Sequence, residues 1–539
     1  MRVEVERQAG EDVRAFERSL ARQERKALLC WTLLALLLRL LLMWRVEGVI
    51  SPDGVVYVTL TRNLMAGNLR EGLSIYSSPL YPLLIGLASL IFRDAEFAGR
   101  FVSVVAGGLL VIPSHKLIRN WYGEQVALIG AGLVALHPLL IYYSTTLLTE
   151  STYTLILTSA VLAGWRALNG GRARSHLLAG VALGLCYLLK PEAAGFILLL
   201  LILLLGRKLF VKSCSLKETA RDALMLCAGF ILLAAPYIIY LRRETGAWTI
   251  SGKIAEHMWQ GGRLAAGDIA PVSMPLMPNM MTALAQLTKA LRFEYELFNL
   301  IFPPFFVLLV GVGLFRKRWP SGRAWRELYL LSFIAATLAG YAVTLPNIRF
   351  IAPLLPLLLC WLAKGIYEFA EWMIETLNGF NGARKFTPYL SKLIVPVVAA
   401  CLLASLLPLF IYLLRGDKWD DYHGQKRAGV WIKEQASSRA PVIMSTVPVT
   451  AFYAGGRHVQ LFNEDYQALV ARARKEGVGY IIVNERDFRY LPLRALLDDE
   501  SFHPGLRVVQ KFAESPGHRI LVYAVDKDEA SGGLEDKVR

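Results

Sequence analysis

Apolar residues in this chain come in long blocks separated by short polar breaks. Runs of about 18 to 22 apolar residues recur, the length a helix needs to cross about 30 Å of hydrocarbon. The pattern predicts spans at 27–44, 98–115, 124–143, 150–167, 175–189, 193–206, 222–241, 297–315, 327–345, 350–366 and 393–414. A further block, "SSPLYPLLIGLASLIF" at 77–92, is apolar but short and rich in proline near its start. After about residue 415 the pattern changes to short alternations. "APVIMSTV", "RHVQLF" and "VGYIIVNE" read as buried strands, and "DYQALVARARKEG" as an amphipathic helix stopping at Gly477. "RVVQKFAE" and "HRILVYAV" read as a hairpin across "SPG". Alternating strand and helix predicts a small α/β domain.

Composition agrees with the blocks: of 539 residues, 55% are hydrophobic and only 19% charged, too apolar for a soluble protein of this size. The formal charge of +16 raises nucleic acid as a partner. The basic residues, however, lie between apolar blocks rather than on one aromatic-interleaved face, so no nucleic acid is expected. The six Cys lie in spans or, for Cys214, in a basic loop. None has metal-ligand spacing, and no structural disulfide is expected. Residues 1–26 are charged, and no small-residue cleavage site follows the first apolar run, unlike a signal peptide.

Loop charge orients the spans, because Lys and Arg concentrate in cytoplasmic loops. If 77–92 does not cross, "RQERK", "HKLIR", "GGRARSH", "GRKLFVKSCSLKETAR", "FRKRWPSGRAWR" and "NGARKF" all share one side. The expected fold is therefore mainly α: a polytopic membrane helix bundle of about eleven spans with a C-terminal extracytoplasmic α/β domain. The boundaries follow: a cytoplasmic segment 1–26, a membrane domain 27–414 with outer loops 45–97 and 242–296, an outer domain 415–526, and a disordered tail 527–539. The cell membrane is the expected location.

On the outer side this topology puts two acids, Asp53 and Glu150, and two cations, Lys190 and Arg349, in separate loops. Carboxylates beside apolar helices are readily desolvated and tuned, as a general base requires. Cations at the same depth suit a phosphate that leaves with negative charge. Each residue also has a plain structural reading. Asp53 could cap the helix that follows it, Glu150 could be a first-turn acid, and Lys190 and Arg349 could reach toward the interface. Convergence of all four is what would separate the readings. Arg39, inside the first span, is within reach of an interface. Arg100 can pair with Asp94 or Glu96, and His137 before Pro138 reads as packing. In the outer loop 242–296, His257 and Trp259 could stack on a sugar or merely pack, and the Met-rich "PVSMPLMPNMMTAL" could meet an isoprenoid chain.

In their order, these features resemble the polytopic glycosyltransferases of the C fold, in particular the group of protein O-mannosyltransferases and lipid A aminoarabinose transferases. The pieces are "SPDGVVYVTLTRNLMAGN", "SSPLYPLLIGLASLIF", "LHPLLIYYSTTLLTESTY", "LLKPEAAGFILLLLILLL" and "IRFIAPLLPLLL", spread over residues 50 to 360. The resemblance implies a sugar donor on a polyprenyl phosphate, transfer with inversion at the anomeric carbon, and a lipid, glycan or protein acceptor. It implies that Asp53 is the catalytic acid residue of the first outer loop and acts as base, that Glu150 is the second-loop acid, and that Arg349 meets the lipid phosphate. Tyr57, Lys190, Tyr81 and His257 are further substrate-binding candidates. No cofactor is required, although Asp53 and Glu150 could share a divalent metal with water and phosphate.

Two departures stand out. The aminoarabinose transferases have a Lys beside the first-loop prolines where this chain has Ser77-Ser78-Pro79, and the Asp–Glu pair of the O-mannosyltransferases is here Asp53 between Pro52 and Gly54. The rival readings are a polytopic transporter or lipid flippase, in which ionisable groups sit near the midplane, and a non-catalytic assembly subunit.

Overall fold

The computed structural model describes residues 2–45, 48–211, 215–252, 301–319, 322–342, 348–379, 387–414, 422–435, 440–462, 464–485, 495–498, 503–513 and 519–526, with short pieces between 288 and 299. They form two compact units: Met1–Val46 with Leu60–Leu413, and Glu47–Thr59 with Leu414–Arg539.

The first unit is helical. In chain order it contains α1 (Arg2–Arg45), the C-terminal part of α2 (Pro52–Met65), α3 (Leu69–Gly72), α4 (Leu80–Phe92), α5 (Ala95–Leu109), α6 (Val111–Tyr122), α7 (Glu124–Leu136), α8 (Pro138–Thr145) and α9 (Glu150–Leu168). It continues with α10 (Ala173–Tyr187), α11 (Gly195–Val211), α12 (Leu216–Thr245), α13 (Pro304–Phe315), α14 (Arg323–Ala342), α15 (Ile348–Ile351), α16 (Leu355–Asn378), α17 (Thr387–Ser405) and α18 (Leu407–Leu414). Each expected span overlaps one of these helices or a consecutive pair among the described residues. By length and apolarity alone, four helical segments among the described residues suffice to cross a bilayer, or five if the bent pair α7–α8 is one span. The block at 77–92 is the 13-residue α4, about 20 Å at 1.5 Å per residue and too short to cross by itself.

Small residues let the helices close. A Cβ on Gly180 of α10 would lie 2.0 Å from Leu226 O, and one on Gly229 of α12 would lie 2.2 Å from Leu177 O. The two backbones are thus in direct contact, the way membrane helices associate without a hydrophobic drive.

Arg39 departs from the reading of a side chain reaching for the interface, since it is fully buried. α7 and α8 meet at His137–Pro138 with a 49° bend, and a proline break frees carbonyls of the preceding turn. Arg39 Nη1 donates to Ala135 O at 2.9 Å and Nη2 to Val134 O at 3.4 Å, while Nε donates to Ser144 Oγ on α8 at 3.1 Å. The guanidinium therefore satisfies both sides of the break. His137 Nδ1 accepts the Leu139 N–H and caps α8, and Arg100 pairs with Glu96.

In the second unit the tail forms a five-stranded sheet in the order β2-β1-β3-β5-β4, with β1 (Val442–Ser445), β2 (Arg457–Gln460), β3 (Tyr480–Asn484), β4 (Leu506–Ala513) and β5 (Arg519–Val525). β1 is parallel to β2 and β3, whereas β5 is antiparallel to β3 and β4. The strands and the β4–β5 pairing follow the alternation in the sequence. Helix α21 (Tyr466–Lys475) is capped by Asp465, whose side chain accepts the Ala468 N–H, and Gly477 takes φ 66 just beyond its end, as a glycine stop predicts. Helices α19 (His423–Gln435), α20 (Val449–Ala454) and the four-residue α22 (Ala495–Asp498) complete the unit. The sheet is packed on both faces. Met444, Leu469, Ile481 and Leu521 lie in one core, and Ala428, Ile432, Ile443 and Val522 in the other.

Candidate functional site

In the helical unit, two of the residues singled out from the sequence come together. Glu150 opens α9 and is 3% exposed; Lys190 is 7% exposed. Lys190 Nζ donates to Glu150 Oε1 at 3.3 Å. Local chemistry explains the Lys190 position. The residue before a proline is pushed out of the helical region, and Lys190, ahead of Pro191, is extended at φ −144° and ψ 119°. Its amide still closes α10 by donating to Cys186 O at 2.9 Å. The chain therefore turns away from α10 with the ammonium directed at the first turn of α9. There the helix dipole also favours the carboxylate.

Aromatic rings complete the surroundings of the ammonium. Lys190 Nζ lies 5.4 Å from the Tyr153 ring centroid and 5.0 Å from that of Phe350, within cation–π range. Phe350 stacks on Tyr341 with centroids 4.7 Å apart and planes 8° from parallel. The Arg349 guanidinium lies 4.9 Å from the Phe350 centroid. The Tyr341 hydroxyl donates to Glu192 Oε1 at 2.7 Å. Two cations, two carboxylates and three aromatic rings thus form one cluster. Within it, Glu150 Oε2 is buried without a hydrogen-bond partner among the described residues. A buried carboxylate oxygen without a donor carries a desolvation cost and marks where a ligand N–H or O–H would be accepted.

Tyr81 is also in this unit and fully buried. Its hydroxyl lies 2.8 Å from Ser103 Oγ and 3.1 Å from Gly99 O, which ties α4 to α5. The loop before α4 is held by contacts within the protein. Ser78 Oγ donates to Tyr187 O at 3.4 Å, and Leu80 N to Leu188 O at 3.0 Å.

Asp53 and Tyr57 belong to the second unit. The helix-cap role considered for Asp53 is filled by Ser51. Its Oγ accepts the Gly54 N–H at 3.1 Å and its carbonyl the Val55 N–H at 2.9 Å. Pro52 is then the first helical residue, as proline prefers, and Asp53 sits half-buried in the first turn. Tyr57 lies one turn on, on the same helix face. His257, Trp259 and the Met-rich stretch lie outside the described residues.

Sequence reasoning missed Tyr153, Glu192, Tyr341 and Phe350. Tyr153 was findable, because a spacing of three puts it on the Glu150 face of α9. The Tyr341–Phe350 stack joins two helices and leaves no mark in the local pattern. Among the described residues, no group of three or more His, Cys, Asp or Glu is placed to hold a metal ion.

Comparison with known proteins follows these features. Residues 77–252 match the family model for dolichyl-phosphate-mannose-protein mannosyltransferase. Among curated relatives, the undecaprenyl phosphate-alpha-4-amino-4-deoxy-L-arabinose arabinosyl transferase of Pseudomonas aeruginosa is 24% identical over 210 residues, 38% of this chain and 38% of the relative. Its namesake from Aeromonas salmonicida is 29% identical over 212 residues, 37% of this chain and 38% of the relative. The chain thus spans less than half the length of the curated relatives it matches. Structural likeness extends further. ArnT from Cupriavidus metallidurans, solved bound to undecaprenyl phosphate, aligns with a TM-score of 0.58 at 13% identity over 92% of this chain and 97% of that one. The Archaeoglobus fulgidus oligosaccharyltransferase, solved with Zn and sulfate, aligns with a TM-score of 0.56 at 14% identity over 85% of this chain and 67% of that one. This chain is an integral membrane protein with the GT-C fold of polytopic glycosyltransferases.

Proposed function

We propose that this chain transfers a sugar from a polyprenyl-phosphate carrier to an acceptor on the non-cytoplasmic face of the cell membrane, with inversion at the anomeric carbon. The N-terminus is then cytoplasmic and the tail domain extracytoplasmic. The observation that carries the reading is the Glu150–Lys190 pair, desolvated under aromatic rings, with one carboxylate oxygen left to accept a hydrogen bond. The shared fold and the matched relatives support the donor class.

In this mechanism Asp53 takes the proton from the acceptor hydroxyl or amine as the acceptor atom attacks the anomeric carbon. The bond from that carbon to the phosphate oxygen breaks on the opposite ring face, which gives inversion. The phosphate departs as an anion and needs little acid assistance. Glu150 positions a substrate hydroxyl through Oε2, and its negative charge steadies the oxocarbenium-like transition state. Lys190 holds Glu150 oriented through Oε1. Arg349, half-buried, is the better placed of the two cations to meet the lipid phosphate with a forked pair of hydrogen bonds. Tyr57 and Tyr81 shape the site, Tyr81 from within the fold.

The test uses purified chain in liposomes doped with the host's polyprenyl lipids and an extract of its envelope acceptors. One polyprenyl-phosphate sugar should decline while polyprenyl phosphate rises in equal amount. If that lipid changes leaflet without losing its sugar, the chain is a flippase and the proposal fails.

A further inference from the structure

We infer that the tail domain sets the position of Asp53, with Tyr453 as the positioning residue. The inference rests on the reading of Asp53 as the base.

The segment Glu47–Thr59 is grouped with the tail rather than with the helical unit. The connection is specific. Ile50, three residues before Asp53 and 1% exposed, donates its backbone N–H to Tyr453 Oη at 3.0 Å. A buried amide must find an acceptor, and here that acceptor comes from a side chain 403 residues later. From Ile50 the chain has little freedom before it reaches the acid. Ser51 is committed as the α2 cap through both its side chain and its carbonyl, and Pro52 fixes its own φ. Asp53 follows in the first turn.

The other end of the connection is held as firmly. Tyr453 lies on α20, which links β1 to β2 and buries Ala451 and Ala454 against Ala428 and Ile432 of α19. At the crossing of α19 and α20, a Cβ on Gly429 would lie 2.5 Å from Thr450 O and 2.9 Å from Tyr453 Cβ. Only glycine permits this approach. Lys426, one turn earlier on α19, holds its ammonium 5.3 Å from the Tyr453 ring centroid. The phenol is therefore fixed by the tail's own core, and this hydrogen bond transmits that position to the segment that leads into Asp53. A base displaced by about 1 Å loses up to about 100-fold in rate, so this connection bears on catalysis although Tyr453 touches no reacting atom. The tail is then part of the catalytic apparatus.

Tyr453→Phe tests this in the full-length membrane protein, because it removes one oxygen and keeps the ring. Amide hydrogen exchange of residues 48–53 is measured alongside kcat and KM, with the polyprenyl-phosphate sugar that accumulates behind Asp53→Asn as donor. Exchange at Ile50 should rise at least about 10-fold and kcat should fall about 10-fold, with donor KM unchanged. Tyr466→Phe, which removes another tail hydroxyl donating to Pro504 O, should change neither. Gly429→Ala keeps the hydroxyl but displaces it, and should reproduce the Tyr453→Phe result if that variant folds poorly. Unchanged Ile50 exchange in folded Tyr453→Phe, or raised exchange with unchanged kcat, overturns the inference. If Asp53→Asn transfers sugar normally, the base assignment fails by itself, whatever Ile50 exchange shows.

Discussion

Glu150 and Asp53 are both first-turn acids at the start of a helix, yet the molecule treats them in opposite ways. Glu150 is buried in the helical unit and tied to Lys190, whose ammonium faces the Tyr153 and Phe350 rings. Asp53 is half-buried on a short segment pinned by its backbone to the tail domain. An acid locked to a cation in a buried pair is suited to orient a ligand. One in a half-buried first turn is suited to take a proton and release it. In the proposed mechanism the two similar residues divide the reaction between them because their supports differ.

The largest expected effect separates the two acids directly. Asp53→Asn removes the proton acceptor and should lower kcat by about 10² to 10⁴-fold, the range for loss of a general base, with little change in stability. Glu150→Gln should do the reverse in proportion. Breaking a buried ion pair costs about 3–5 kcal/mol, so thermal unfolding in detergent should fall markedly. Glu150→Gln combined with Lys190→Met should recover part of that loss, because no uncompensated charge remains. Equal stability losses for Asp53→Asn and Glu150→Gln would break the comparison.

Gly180→Leu comes next and probes the frame that carries Lys190. It forces α10 off α12, whose backbone lies 2.0 Å from the added Cβ, and should cost about 1–3 kcal/mol, with activity falling in step with folded protein. The smallest effect lies in the tail. Burial lowers the pKa of His458 from its ordinary value of 6.5, partly opposed by its hydrogen bond to Ser445 O. Because the folded pKa is depressed, the neutral ring's stabilisation is complete above the unfolded pKa and is lost as pH falls through the folded one. Exchange protection of β1 and β2 should therefore weaken below about pH 6.5. His458→Gln should flatten that dependence.

Much of this was legible in the sequence because the signals are local. Apolar block length marked the helices, alternation marked β1 to β5, and Gly477 and Asp465 marked the ends of α21. The Lys190 turn was implicit in Lys-Pro. Helices α19 and α20 were not read, and α20 has only six residues, too few for periodicity to register. Arg39 was left without a role because its partners include a carbonyl 96 residues away, beside a break in another helix. The sequence exposed the acids and cations as residue types, but not the Phe350–Tyr341 stack or the Ile50–Tyr453 bond, which depend on tertiary packing.

The most direct test of the central claim compares cells carrying the unaltered chain or Asp53→Asn at equal amounts of folded protein, by mass spectrometry of lipids and surface glycans. The account predicts that one polyprenyl-phosphate sugar accumulates in the variant while one glycan or lipid loses that sugar's mass. Identical profiles in the two strains would contradict it and leave Asp53 a structural residue.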